Sequence, residues 1–241
     1  MKTIQLLLCI MLLSQTTMAQ TADDVIAKYL QAIGGKENLQ QIQVLRQTGI
    51  AKAWQDIPFN LTITRKGKSY QESTMQNKKI VRAFDGTTAW GNQPWTGRDI
   101  NVKFDEDETK NIRFAADIDF AFVDYAQKGS SMRYIGEEDV DGALAYHLQL
   151  TTREGDTHDY FFDKDLYLLV KHKARIKRKD GSEQNYEEYY SAYKPVGKLL
   201  LPHDLESRTV EQGEEYNQFT KIKTYEINPT VEDSLFIMPA K

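Results

Sequence analysis

The chain has one cysteine in 241 residues, Cys9. It sits inside the apolar stretch Ile4 to Leu13, which is broken only by Gln5. Lys2 precedes that stretch, and Thr17-Met18-Ala19 follows it as a small-x-small cleavage site before Gln20. This is the layout of a cleaved secretory signal over residues 1–19. The residue before Cys9 is Leu8, too large for a lipidation box, so no lipid anchor is expected. Removal of the signal leaves a chain without cysteine, which excludes disulfides and thiol chemistry. An oxidising compartment permits disulfides without requiring them, and a chain this long buries enough core unaided. No later apolar run approaches the ~20 residues that a membrane-spanning helix needs, so stable membrane insertion is not expected. Loss of Lys2 moves the net charge from −4 to −5, which argues against nucleic acid as a partner. No Pro/Gly/Ser-rich linker, low-complexity tract or fixed-period repeat divides residues 20–241, which read as a single domain.

Recognised catalytic motifs are also missing. There is no G-x-S-x-G elbow and no phosphate-cradling glycine loop. The four histidines, His147, His158, His172 and His203, lack metal-ligand spacing and read as solvated strand residues. Asp105-Glu106-Asp107-Glu108 lacks the glycine and distal glutamate of a calcium loop and reads as the acidic start of a helix. The adjacent pair Glu187-Glu188 points to opposite faces of a strand. No enzyme, cofactor or metal is expected.

What is present is a pattern of alternation. Ala22 to Ile33 is a helix, with Thr21 or Asp23 as cap, an apolar stripe of Val25, Ile26, Tyr29, Leu30 and Ile33, and a stop at Gly34-Gly35. Lys36 to Ile42 adds a turn or two. The period then becomes two, as in Phe59, Leu61 and Ile63, and later in Leu144, Tyr146, Leu148 and Leu150. Asp85-Gly86 and Asp180-Gly181 mark hairpins. Between the two runs of strands, residues 105–128 have helical spacing (Ile112, Phe114, Ala115, Ile118, Phe122, Tyr125) and predict one helix or two short ones. Leu166 to Lys179 reads as one long strand with Leu166, Leu168, Val170, Ala174 and Ile176 on one face. The expected class is α+β with a large antiparallel sheet. A sheet of that size curls, leaving a concave face that the helices can line or cover.

Aromatic residues are spread over nearly every element. Most must belong to the core, but some are available to line a cavity in the mouth of the curled sheet. The candidates are Phe59, Leu61, Ile63, Trp90, Phe114, Ile118, Phe122, Tyr146, Leu148, Tyr160 and Phe162. Burial of one methylene contributes about 0.8 kcal/mol, so a dry cavity alone holds an acyl chain. The strand residues Lys171, Lys173, Arg175 and Lys177 share one face. That face is either a solvated surface, paired across the hairpin with Glu187-Glu188, or a contact surface for lipid headgroups or a partner protein.

The order of short motifs resembles the LolA/LolB-type outer-membrane lipoprotein-sorting proteins. The matching segments are the N-terminal helix, residues 80–90 (IVRAFDGTTAW), the helical insert, Val140-Asp141-Gly142 with Tyr146-His147-Leu148, Tyr160-Phe161-Phe162-Asp163, Leu201-Pro202, and Ile227-Asn228-Pro229. The resemblance covers nearly all of residues 20–241. It implies an unclosed β-barrel with a helical lid over a cavity for acyl chains of lipoproteins or lipids. It also implies a basic residue near the end of an early strand that latches the lid. Arg65 stands at the matching place, followed by Lys66 and then Gly67, where carriers tend to have proline. Two roles follow as expectations: a periplasmic carrier or chaperone, or a sensor of the same fold that contacts an envelope partner protein.

Overall fold

The computed structural model describes residues 20–211 and 214–240; the export signal predicted over 1–19 lies outside them. Helix α1 (Ala22–Ala32) opens with a complete capping box between Thr21 and Asp24, which satisfies backbone donors at both positions. Gly34 ends it at a φ of 111°, and a Cβ there would lie 2.2 Å from the Lys198 carbonyl oxygen. Only glycine allows this close approach. Helix α2 (Lys36–Gln40) follows.

Six strands come next: β1 (Val44–Lys52), β2 (Asp56–Thr64), β3 (Ser69–Met75), β4 (Lys78–Phe84), β5 (Ala89–Gln93) and β6 (Arg98–Lys103). Helix α3 (Glu106–Ala115) and a run of turns lead to β7 (Ser131–Val140), β8 (Ala143–Thr151), β9 (Thr157–Asp163), β10 (Leu169–Lys177) and β11 (Glu183–Ser191). A short ribbon of β12 (Lys194–Val196) and β13 (Leu199–Leu201) precedes β14 (Asp204–Glu211) and β15 (Glu214–Ile227). Thirteen strands form one sheet in the order β6-β5-β4-β3-β2-β1-β15-β14-β11-β10-β9-β8-β7. All pairings are antiparallel, as the short turns require. Gln76-Asn77 and Asp141-Gly142 have positive φ at both residues, the turn geometry whose twist matches the flanking strands.

The strand order explains the shape. Two meanders, β1–β6 and β7–β15, are joined by the β1–β15 pair. The sheet curves but does not close, because β6 and β7 are both edges. The chain between those edges is α3 and residues 116–130, so it has to cross the opening. Helix α3 touches both sides. Ile112 packs with Phe84, Ala89 and Phe104 on the β4–β6 side. On the other side Lys110 pairs with Asp156 at 2.6 Å, and Asn111 donates to Gln184 Oε1 at 3.1 Å.

Three expectations are corrected. Of the one helix or two short ones predicted over 105–128, a single helix forms, and it ends at Ala115. Phe120 and Asp124 turn left-handed, at φ of 60° and 53°, and Phe122 is driven fully into the core against Tyr29, Tyr160 and Phe162. Burial outweighs helical periodicity here. The strand expected over 166–179 spans only Leu169–Lys177. Leu166 falls in the turn before the strand and is exposed, and a register shift between Leu169 and Lys171 puts Leu169 on the buried face. Finally, His147, His158 and His172 are buried rather than solvated.

Candidate functional site: a groove on the concave face

The inner face of the sheet is used in two ways. Over β7–β11 it is filled. Val25, Ile26, Tyr29 and Leu30 of α1 pack with Tyr146, Leu148, Leu150, Tyr160, Phe162 and Leu169, with Phe122 wedged among them. Over β1–β4, β14 and β15, α1 does not reach the face, α2 and α3 cover only one end of it, and two connected spaces remain. One, of about 260 Å³, lies beneath the crossing segment and is lined by Leu45, Leu61, Ile63, Ile118, Phe120 and Tyr160 among others. The other, of about 380 Å³, continues outward along Ile57, Phe59, Met75 and Ile80. Gln47, Leu61, Glu188, Leu205 and Ile222 line both, so the two form one groove.

Of the residues proposed from sequence, Leu61, Ile63, Phe114, Ile118 and Tyr160 line the inner space and Phe59 the outer one. Phe122, Tyr146, Leu148 and Phe162 are instead core residues under α1. Trp90 lies on the opposite face of the sheet with Val81 and Ala83, and its indole N–H donates to the Phe236 carbonyl at 2.7 Å.

Arg65 follows β2 and joins three segments. Its Nε and Nη2 donate to the carbonyls of Ile42 and Leu39, both at 2.6 Å. These two carbonyls lie at and beyond the end of α2, where the helix leaves acceptors without intrahelical partners. Its Nη1 pairs with Asp119 at 2.5 Å, in the crossing segment. The same segment is held by Lys36 to Asp124 at 2.6 Å and by the Tyr125 hydroxyl, which donates to Asp23 at 3.0 Å.

The basic strand is largely neutralised. Lys171 and Lys173 pair with Glu187 at 2.8 and 3.3 Å, and Arg175 with Asp159 at 3.5 Å. Lys171 also lies over the Tyr189 ring. Lys177 uses its backbone N–H to reach Asp156. Only Glu187 of the pair Glu187-Glu188 serves this face.

Glu188 points the other way, into the groove. Sequence reasoning offered it, together with Glu187, as a partner of the basic strand, although its place between Tyr186 and Tyr190 on the other strand face was visible. The Tyr190 hydroxyl donates to Glu188 Oε2 at 2.5 Å, and Ser207 donates to Oε1 at 3.2 Å. Burial pushes the Glu188 carboxyl above the ordinary glutamate range, against the lowering effect of those two donors. At the inner end of the groove His158 Nδ1 and His172 Nε2 are 3.0 Å apart, and the Phe114 ring stacks on His158 at 4.1 Å. Desolvation holds His158 down to about 4, and His172 well below its usual value; both rings are neutral at pH 7.

Among the described residues no group of three His, Cys, Asp or Glu is placed to hold a metal, and no helix is long and apolar enough to cross a membrane.

No family model and no curated protein matches the sequence. Solved structures do match over nearly their full length. A LolA superfamily protein from Nitrosomonas europaea superposes with a TM-score of 0.61 at 11% identity, covering 91% of this chain and 98% of that one. A DUF1329 family protein from Desulfovibrio piger gives 0.56 at 14% identity, with 88% and 97% covered. An outer-membrane lipoprotein-sorting protein domain from Vibrio parahaemolyticus gives 0.54 at 9% identity, with 88% and 94% covered. With its open, curved thirteen-stranded sheet crossed by α3, the chain has a LolA-like fold.

Proposed function

We propose that this protein is a periplasmic carrier that holds the acyl chain of a lipid or lipoprotein in the groove and delivers it toward the outer membrane. The observation that carries this reading is the groove itself. It is a continuous, mostly apolar space on the concave face, left open by α1 and roofed at one end by the crossing segment. Its size is that of ligand pockets. A chain of about 12 carbons buried there gains roughly 10 kcal/mol before the entropy of ordering is subtracted. The shared fold with a lipoprotein-sorting domain supports the reading. In this account residues 1–19 direct export and are removed, and Arg65 latches the crossing segment through Asp119.

The alternative, a sensor that presents Lys171, Lys173 and Arg175 to a partner protein, has less support, because those cations already have carboxylate partners. The test is displacement of an uncharged fluorophore such as N-phenyl-1-naphthylamine from the purified protein by acyl compounds. Binding is expected to weaken at least tenfold in Leu205→Trp, which fills the groove where its two spaces meet. Fluorophore binding that ignores this substitution contradicts the proposal.

A further inference from the structure

A lining made only for an acyl chain has no use for a carboxyl group, yet Glu188 stands where the two spaces of the groove join. Its register shows that it belongs to a row. Glu188 of β11 lies opposite Ser207 of β14, and Ser207 lies opposite Gln218 of β15. Gln47 and Gln71 line the groove nearby. A polar band therefore runs across the face, with Ser73 and Thr220 also in the outer lining and Glu188 at its inner end. The protein supplies one hydroxyl donor to each Glu188 oxygen, Tyr190 to one and Ser207 to the other. A carboxyl group has about four acceptor sites when ionised, so it can still take donors from a ligand. The cations of the same strand region cannot compete, because Lys171 and Lys173 project from the opposite face to Glu187. Arg82 also lines the outer space, but it is exposed to solvent, where the pull of a cation on an anion is weak.

We infer that the Glu188–Ser207 band reads the polar group of the bound amphiphile, and that it selects one that donates hydrogen bonds and carries no negative charge. The inference rests on the acyl-binding reading above and adds the headgroup to it. An acylated glycerol places its hydroxyls against Glu188 while its chain lies along Leu61, Leu205 and Ile222. A fatty-acid anion in the same position sets its carboxylate against that of Glu188 in a half-buried part of the groove, where like charges repel. Burial pushes the Glu188 carboxyl up, and the same desolvation disfavours a negative charge on a ligand there.

The experiment compares monododecanoylglycerol with dodecanoate, which share a chain length, as displacers of N-phenyl-1-naphthylamine from the purified protein at pH 7.5. The glyceride is expected to displace it at a concentration at least tenfold lower. Glu188→Gln, nearly isosteric, is expected to narrow that ratio below threefold, since the anion is no longer repelled. Glu188→Leu, whose fold is checked by thermal unfolding, is expected to weaken the glyceride about tenfold. Equal displacement by the two compounds, tighter binding of dodecanoate, or a ratio that Glu188→Gln leaves unchanged would overturn the inference while leaving acyl binding intact. A protein that binds neither the fluorophore nor either amphiphile contradicts the acyl-binding reading itself, and this inference with it.

Discussion

The two halves of the concave face have the same kind of backbone and very different fillings. Over β7–β11, α1 and Phe122 occupy the space, and Leu148, Phe122, Phe162 and Leu169 have no exposed surface. Over β1–β4, β14 and β15, Phe59, Leu61, Met75 and Ile80 remain only partly covered by their own protein. The first half has a core's reason to be apolar. In the second, apolar side chains persist beyond the reach of α1 and of the crossing segment, and such a surface is normally kept for something that binds it. The contrast separates residues that hold the molecule together from residues held ready for a ligand, although both alternate in the same way along their strands.

Substitutions should divide along that line. Phe122→Ala removes a ring in edge contact with Tyr29, Tyr160 and Phe162, and is expected to cost about 3–5 kcal/mol in urea unfolding. Acid should act next most strongly, through the buried histidine pair at the boundary of the two halves. An unfolded histidine protonates near 6.5, whereas folded His158 does so only near 4. Below pH 6.5 the unfolded chain therefore binds the extra proton, and stability falls as the pH drops through that window. At pH 5 the wild type should have lost about 2 kcal/mol more than His158→Asn, relative to pH 7.5. Identical pH profiles would show that the pair titrates normally.

Arg65→Ala leaves Asp119 and two carbonyls without their donor. It should cost about 1–3 kcal/mol and raise amide hydrogen exchange in residues 117–129 above that of α1. Uniform exchange in the two segments would remove Arg65 from the account as a latch. The smallest effect on stability is expected for Leu61→Ala in the open half. It should cost no more than about 1 kcal/mol, because a partly exposed side chain gives up less burial, while lowering fluorophore affinity severalfold. A cost as large as that of Phe122→Ala would erase the distinction between the halves.

Much of this was legible in the residues. The capped helix at 22–33, the hairpin turns and the period-two runs led to a curled antiparallel sheet, and the order of motifs, through the resemblance it carries, pointed to an unclosed LolA-like fold. The division of the sheet's inner face was not legible. Leu61 and Leu148 obey the same alternation, and only the position of α1 decides that one lines a groove and the other is sealed in. Trp90 was misleading for a related reason. Alternation says that faces differ, but not which face is concave, and Trp90 belongs to the outer one under Phe236. The histidines were misjudged because residue type predicts exposure only on average, and stacking with Phe114, Phe161 and Tyr160 gives these three an apolar setting. The early end of α3 also depended on tertiary contacts, since Phe122 reaches the core only if the helix stops before it. Glu188 was assigned with Glu187 to the basic outer face because an acidic residue in a strand is ordinarily a solvated one.

The most direct test of the account is to map where an acyl chain lies. A monoacylglycerol carrying a photoreactive diazirine at the end of its chain can be cross-linked to the purified protein, and the labelled peptides identified by mass spectrometry. The groove predicts label on the strands that carry Leu61, Leu205 and Ile222, lost when unlabelled monododecanoylglycerol is added in excess. Label on the strands of Leu148 and Phe162, on the outer face around Trp90, or label that excess glyceride does not remove would contradict it.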